Sequence, residues 1–128
     1  MNNVPFIIIL FIRRVLMNIY VDDLRKCPNL FLIARNYKEA INLILKHKHE
    51  IDILSLDHDL SDIHDNKEFT GYDVCLFLCE NKISPKNIYI HTDNVVGRDN
   101  MFSLLQGAKR RGLITSNIYK YPFVKNRM

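Results

Sequence analysis

No CxxC pair, no internal repeat, no low-complexity tract and no apolar run of bilayer length occurs in this sequence of 128 residues. Each absence closes off a class. Without cysteines at metal-ligand spacing, a zinc knuckle has little support. Three cysteines, Cys27, Cys75 and Cys79, make an odd count. Cys75 and Cys79 stand one helical turn apart on a core-facing pattern, so they read as buried thiols in a reducing, cytoplasmic setting. The apolar run at residues 4–12 is nine residues long, whereas a spanning helix needs roughly 20, so no stable membrane insertion is expected. It also lacks the basic start and small-residue cleavage site of a signal peptide. Basic residues never cluster beyond Lys109-Arg110-Arg111, and the net charge is only +4. An anionic partner is compatible with that charge, but the charge does not argue for one. A glycine-rich phosphate loop is missing too, since GRDNM at residues 97–101 is too short to count as one.

What is present fits one domain with a core that needs no staples. Hydrophobic content of 48% and charged content of 25% are ordinary for a globular protein. Residues 17–124 are expected to form the domain, because Met17 opens MNIYVDD, where the first core strand starts at once. Residues 1–16 read as an upstream extension from a misassigned start codon, with a membrane-surface anchor or an added edge strand as alternatives. Without them the charge falls from +4 to +2, as Arg13 and Arg14 go. A case for anion binding must therefore rest on a pocket. Residues 125–128 read as a loose tail.

From Met17 the pattern alternates strand and helix. NIYV at 18–21 and LFLIA at 30–34 are short apolar strands, and Pro28 argues against a helix between them. Over 36–49, Tyr37, Ala40, Ile41, Ile44 and Leu45 recur at helical spacing, with Asn36 as cap and Glu39 three residues on. IDILSL at 51–56 carries apolar residues on both faces, with Asp52 and Ser55 as exceptions, as suits a strand covered on both sides. Residues 61–69 are polar and predict an exposed loop. A helix starts at Thr70, with Asp73 at the capping-box position. A strand follows at 88–90, then a helix over 99–111 entered through Gly97, and a last strand at 118–121 ended by Pro122. This order predicts a parallel, doubly wound α/β sheet.

Polar residues gather where strands end, the edge at which parallel sheets open their ligand crevices. Asp22 and Asp23 follow the first strand, Asp57-His58-Asp59 the central one, and His91-Thr92-Asp93-Asn94 the strand after it. Asp22, Asp23 and Asp57 together would form an acidic cup. Crowded carboxylates raise one another's pKa unless a cation compensates, and Mg²⁺ or Mn²⁺ is the natural oxygen-liganded choice. His58 and His91 titrate nearest neutrality and are the candidates for proton transfer, with Asp59 beside them. Thr92 can offer a hydroxyl to phosphate. Asn94, Gly97 and Asn100 precede or open a helix, whose first amides suit an anion. The bland reading of these last residues is ordinary capping, and of Asp22 and Asp23 a pairing with Arg25.

The combination YVDDLRKCP, SLDHDL, TGYDV and HTDN-VVGRDNM resembles the cyclic-phosphate-processing receiver family, a divergent branch of receiver domains found in bacteria and their phages. The likeness runs over about residues 17–121. It implies a receiver-like, flavodoxin-like three-layer fold with five parallel strands in order 2-1-3-4-5. Carried over residue by residue, Asp22 and Asp23 match the acidic pair, and Arg25 and Pro28 the loop after it. Asp57, His58 and Asp59 match the central motif; His91, Asn94, Gly97, Asn100 and Met101 match the fourth-strand motif and the following helix. Thr92 stands where the family tends to have Ser, which keeps the hydroxyl. Lys120 is only a loose match to the lysine that ordinary receivers place after strand five.

The expected function is a metal-assisted phosphoesterase acting on cyclic phosphates or related nucleotide or RNA-end phosphoesters. In that reading Asp22, Asp23 and Asp57 hold the cation, while His58, His91 and Asp59 do the proton work. Arg25, Thr92, Asn94, Gly97 and Asn100 bind substrate. The alternative is a stand-alone receiver-type signalling or ligand-binding module with Asp57 as phosphoacceptor. Alternation along a strand leaves open whether His58 faces the same pocket as Asp57.

Overall fold

The computed structural model describes residues 16–124; the expected extension over residues 1–16, apart from Leu16, and the tail at 125–128 lie outside the described residues. Five parallel strands form the main sheet: β1 (Met17–Val21), β2 (Leu32–Ala34), β3 (Ile51–Leu56), β6 (Asn87–Ile90) and β7 (Asn117–Tyr119). Their order is β2-β1-β3-β6-β7. Setting aside the hairpin strands β4 (Asp62–His64) and β5 (Lys67–Phe69), this is the expected receiver-like order. Three helices, α1 (Tyr37–Lys46), α2 (Gly71–Asn81) and α3 (Val95–Arg110), connect the strands.

Strand alternation assigns the two faces. Ile19, Val21, Leu54, Leu56, Ile88 and Ile90 share one face in register. They are buried in one cluster with Ala40 and Ile44 of α1, Val74 and Leu78 of α2, and Met101 and Leu105 of α3. The helices lie side by side in that layer, α2 between its neighbours. The opposite face presents Tyr20, Ser55 and Tyr89 in register, and Asp22, Asp57 and His91 just beyond the strand ends. Rings of Tyr20, Phe31, Tyr89, Tyr119, Tyr121 and Phe123 cluster on this side. No described helix covers it. The segment between β1 and β2 forms no helix and contains Pro28, as the sequence predicts.

Three local expectations need correction. Residues 61–69 are not a loop but the antiparallel hairpin β4–β5, paired Asp62 to Phe69 and Ile63 to Glu68. Asp62 is buried there and accepts the Tyr37 amide at the start of α1 (2.9 Å). The first strand after the Pro28 loop begins at Leu32, because Leu30 takes a positive φ of 69° in a turn. Helix α3 begins four residues early, at Val95, because Asn94 caps it: the Asn94 Oδ1 accepts the Gly97 amide (2.8 Å). Val95 and Val96 hid that start, being apolar yet 56% and 71% exposed. The caps read from sequence at Asn36 and Thr70 are present, the latter as a full capping box with Asp73.

Candidate functional site

The carboxyl ends of β1 and β3 bring Asp22, Asp23 and Asp57 together, each offering an oxygen within 4.8 Å of the others. Asp22 is 1% exposed and held from three sides. Its Oδ1 accepts the amides of Leu24 (2.9 Å) and Arg25 (2.8 Å), and its Oδ2 accepts His91 Nε2 (3.0 Å). Burial pushes this carboxyl up, but the Arg25 and Leu24 amides and the His91 bond outweigh it and hold Asp22 below the usual carboxylate range. Asp57 goes the other way. Burial raises it and the Asp22 charge adds to the rise, against hydrogen bonds from the Thr92 side chain and the His58 amide (2.7 Å). Protein donors thus outweigh burial at Asp22 but fall short of it at Asp57. An all-carboxylate oxygen set fits a hard divalent cation.

The two histidines do not converge. His91 lies on the cup side, 1% exposed, with Tyr20 stacked on it at 4.3 Å between centroids and an interplanar angle of 1°. Ser55 Oγ donates to its Nδ1 (2.6 Å), so Nε2 carries the proton given to Asp22. Burial, only partly opposed by Asp22, drives the His91 ring down to about 4. His58 points to the other side, its ring face against Gly97; a Cβ built on Gly97 would meet His58 Cγ at 2.5 Å. His58 Nδ1 pairs with Asp59 Oδ1 (2.9 Å), and the His58 bond holds the exposed Asp59 carboxyl below its ordinary range. Asn94 Nδ2 donates to both Asp59 oxygens (3.3 and 3.2 Å) while its Oδ1 caps α3. One asparagine therefore ties the helix start to the Asp59–His58 pair.

The neutral state of His91 has a stability consequence. Its folded pKa lies below the ordinary value of 6.5, so the unfolded chain binds the proton first as pH falls. Stability is full above about pH 6.5 and is lost as pH drops toward about 4. Between pH 7 and 5 this group alone should remove roughly 2 kcal/mol. Urea unfolding at both pH values should show the loss in the wild type, with His91→Gln losing less by about that amount. Equal slopes would mean that folding leaves the His91 pKa unshifted.

The remaining expected residues divide. Arg25 stands at the cup's mouth, with Nε 3.7 Å from Asp22 Oδ2 and Nη2 donating to Asp93 Oδ2 (3.1 Å). The Thr92 hydroxyl is at Asp57 and also accepts the Asn94 amide (3.2 Å). The Gly97 amide is taken by Asn94, so Gly97 serves close packing against His58 rather than offering that N–H to an anion. Asn100 lines a cavity of about 710 Å³ with His58, Thr70, Tyr72, Ser103 and Leu104. Sequence reasoning missed three supports. Arg35 Nη1 donates to the carbonyls of Asp22 (3.2 Å) and Arg25 (2.7 Å), fixing the loop between them. Ser55 and Tyr20 hold His91. The signal for the last two was parity: Tyr20–Asp22, Ser55–Asp57 and Tyr89–His91 are i,i+2 pairs on one face.

The family model of the cyclic-phosphate processing receiver domain matches residues 17–107, which covers all of these clusters. The chain belongs to the cyclic-phosphate processing receiver domain family. No curated protein and no solved structure matches it. Within this receiver domain, Lys120 turns away from the cup: its Nζ pairs with Asp99 Oδ1 (3.2 Å) and lies 5.1 Å over the Phe102 ring. Among the described residues, no helix of the domain is long and apolar enough to cross a membrane.

Proposed function

We propose that this receiver domain is a divalent-cation-assisted phosphoesterase that opens cyclic phosphates or related nucleotide or RNA-end phosphoesters. The observation that carries the reading is the convergence of three carboxylate oxygens from two strand ends; the Asp-oriented His58 stands past the end of β3 on the opposite side. Asp22, Asp23 and Asp57 would hold Mg²⁺ or Mn²⁺, which when bound supplies charge to polarise a phosphoryl oxygen. Asp59 accepts from His58 Nδ1 and so leaves Nε2 as the basic nitrogen, the arrangement that prepares an imidazole to take or give a proton. His58 is the proton carrier in this proposal, which therefore requires the phosphoester to reach across the end of β3 from the cup to His58 Nε2 on the α3 side. His91, closed in by Tyr20, Ser55 and Asp22, is assigned a positioning role instead. Arg25 and the Thr92 hydroxyl stand at the cup's rim, where they can meet phosphate oxygens.

A second reading has one observation in its favour. Asp57 is paired with the Thr92 hydroxyl beside an acidic pair, the layout of a receiver phosphoacceptor. The two readings part in one experiment. Purified protein is mixed with 2′,3′-cyclic and 3′,5′-cyclic nucleotides plus Mg²⁺ or Mn²⁺, and separately with a small phosphodonor. Metal-dependent turnover that falls at least ~100-fold in His58→Ala supports the esterase. No turnover, with phosphate appearing on Asp57, would establish the switch.

A further inference from the structure

We propose that Ser55 is a positioning residue that, through His91, fixes the carboxylate of Asp22 for the cation assigned to the cup; the role rests on that reading. Ser55, His91 and Asp22 are each 1% exposed and form one unbroken chain of hydrogen bonds across β3, β6 and the end of β1. Its direction follows from chemistry. An ionised Asp22 has no proton to give, so His91 Nε2 must be the donor. Nδ1 is then a bare acceptor sealed from water, and the Ser55 hydroxyl supplies its donor at 2.6 Å.

The result is a ring with little freedom. Rotation of the imidazole breaks both hydrogen bonds, and Tyr20 lies flat against its face at 4.3 Å. Asp22 is fixed in turn. Its Oδ1 is occupied by two amides, so rotating the carboxylate loses those bonds as well. Oδ2 accepts from His91 alone, with the Arg25 guanidinium 3.7 Å away, and the carboxylate so held offers an oxygen within 4.8 Å of those of Asp23 and Asp57. Groups that orient a metal ligand in this way typically change affinity by about 10–100-fold when removed. A serine that merely satisfied a buried histidine would lower stability and leave ion binding alone.

Mn²⁺ titration of the full chain, followed by electron paramagnetic resonance, tells these apart. Ser55→Ala should weaken Mn²⁺ binding roughly tenfold or more. Ile44→Val, a core change in α1 away from the cup, should leave it unchanged at a comparable loss of stability. Should Ser55→Ala fail to fold, Ser55→Cys preserves a weaker donor and should bind with intermediate affinity. Wild-type affinity in Ser55→Ala or Ser55→Cys, or an equal loss in Ile44→Val, overturns the proposal. A wild type that binds no Mn²⁺ defeats the cup reading and this role together, and that failure is distinguishable because it appears before any substitution.

Discussion

Gly71→Ala is expected to destabilise the protein by about 3 kcal/mol, the upper end of what overpacking a well-filled site produces. Two effects compete at this position. Gly71 is the first residue of α2, where alanine would ordinarily gain roughly 0.5–1 kcal/mol of helix propensity. Against that, a Cβ there would lie 2.0 Å from the Asp57 carbonyl oxygen and 3.0 Å from its carbon. Met101 Cε at 2.9 Å could move aside; the Asp57 backbone cannot without dragging the end of β3. The Gly71 amide also donates to the His58 carbonyl (2.8 Å), so the two segments are tied where they would be forced apart. The clash wins. Gly107→Ala is the contrast, since its nearest outside atom is the flexible Arg111 Nη1 at 3.3 Å. Within α3 that change should stabilise by about 0.5–1 kcal/mol. Urea midpoints of the two variants should move in opposite directions. A neutral Gly71→Ala would mean that the β3–α2 junction is looser than its packing implies.

Legibility in the sequence followed local periodicity and capping chemistry. Periodic segments with chemical punctuation could be read: β3 from its mainly apolar run, α1 and α2 from Asn36, Thr70 and Asp73. The hairpin could not, because three-residue strands in a polar stretch leave no apolar period, and the role of Asp62 depends on an amide 25 residues earlier. The cup was legible because strand ends in a parallel sheet converge whatever the loops do. Side-chain direction was not stated by any motif. His58 follows Asp57 by one residue and so faces the α3 side with Gly97, whereas His91 lies two residues beyond Tyr89 and shares the cup's side. Ser55 breaks the apolar pattern of β3 and stood there only as an exception. It is in fact fully buried, with a histidine nitrogen as its partner.

Asp57→Asn should change stability and ion binding in opposite senses. In the cation-free protein at neutral pH, Asp57 is an unfavourable charge. Its pKa is raised, by burial first and by Asp22 second. A raised carboxylate pKa means that the folded state holds the proton more tightly than the unfolded chain, so ionisation at higher pH detracts from stability. Asparagine removes that charge while keeping a side-chain oxygen near Thr92. Without added metal, the urea midpoint at pH 7 should therefore rise, and the gain should shrink as pH falls through the range where Asp57 protonates. Ion affinity should move the other way. Loss of a direct carboxylate ligand should weaken Mn²⁺ by more than the roughly 10–100-fold typical of a supporting residue. On the proposed reading, in which the folded cup binds the ion and the open chain does not, added Mn²⁺ should raise the wild-type midpoint by mass action. In Asp57→Asn that increment should vanish over the same concentrations. The two curves should cross as Mn²⁺ is titrated. A variant less stable than the wild type in the absence of metal would show that Asp57 is held by donors strong enough to balance its charge, and the electrostatic case for a cation in the cup would fail with it.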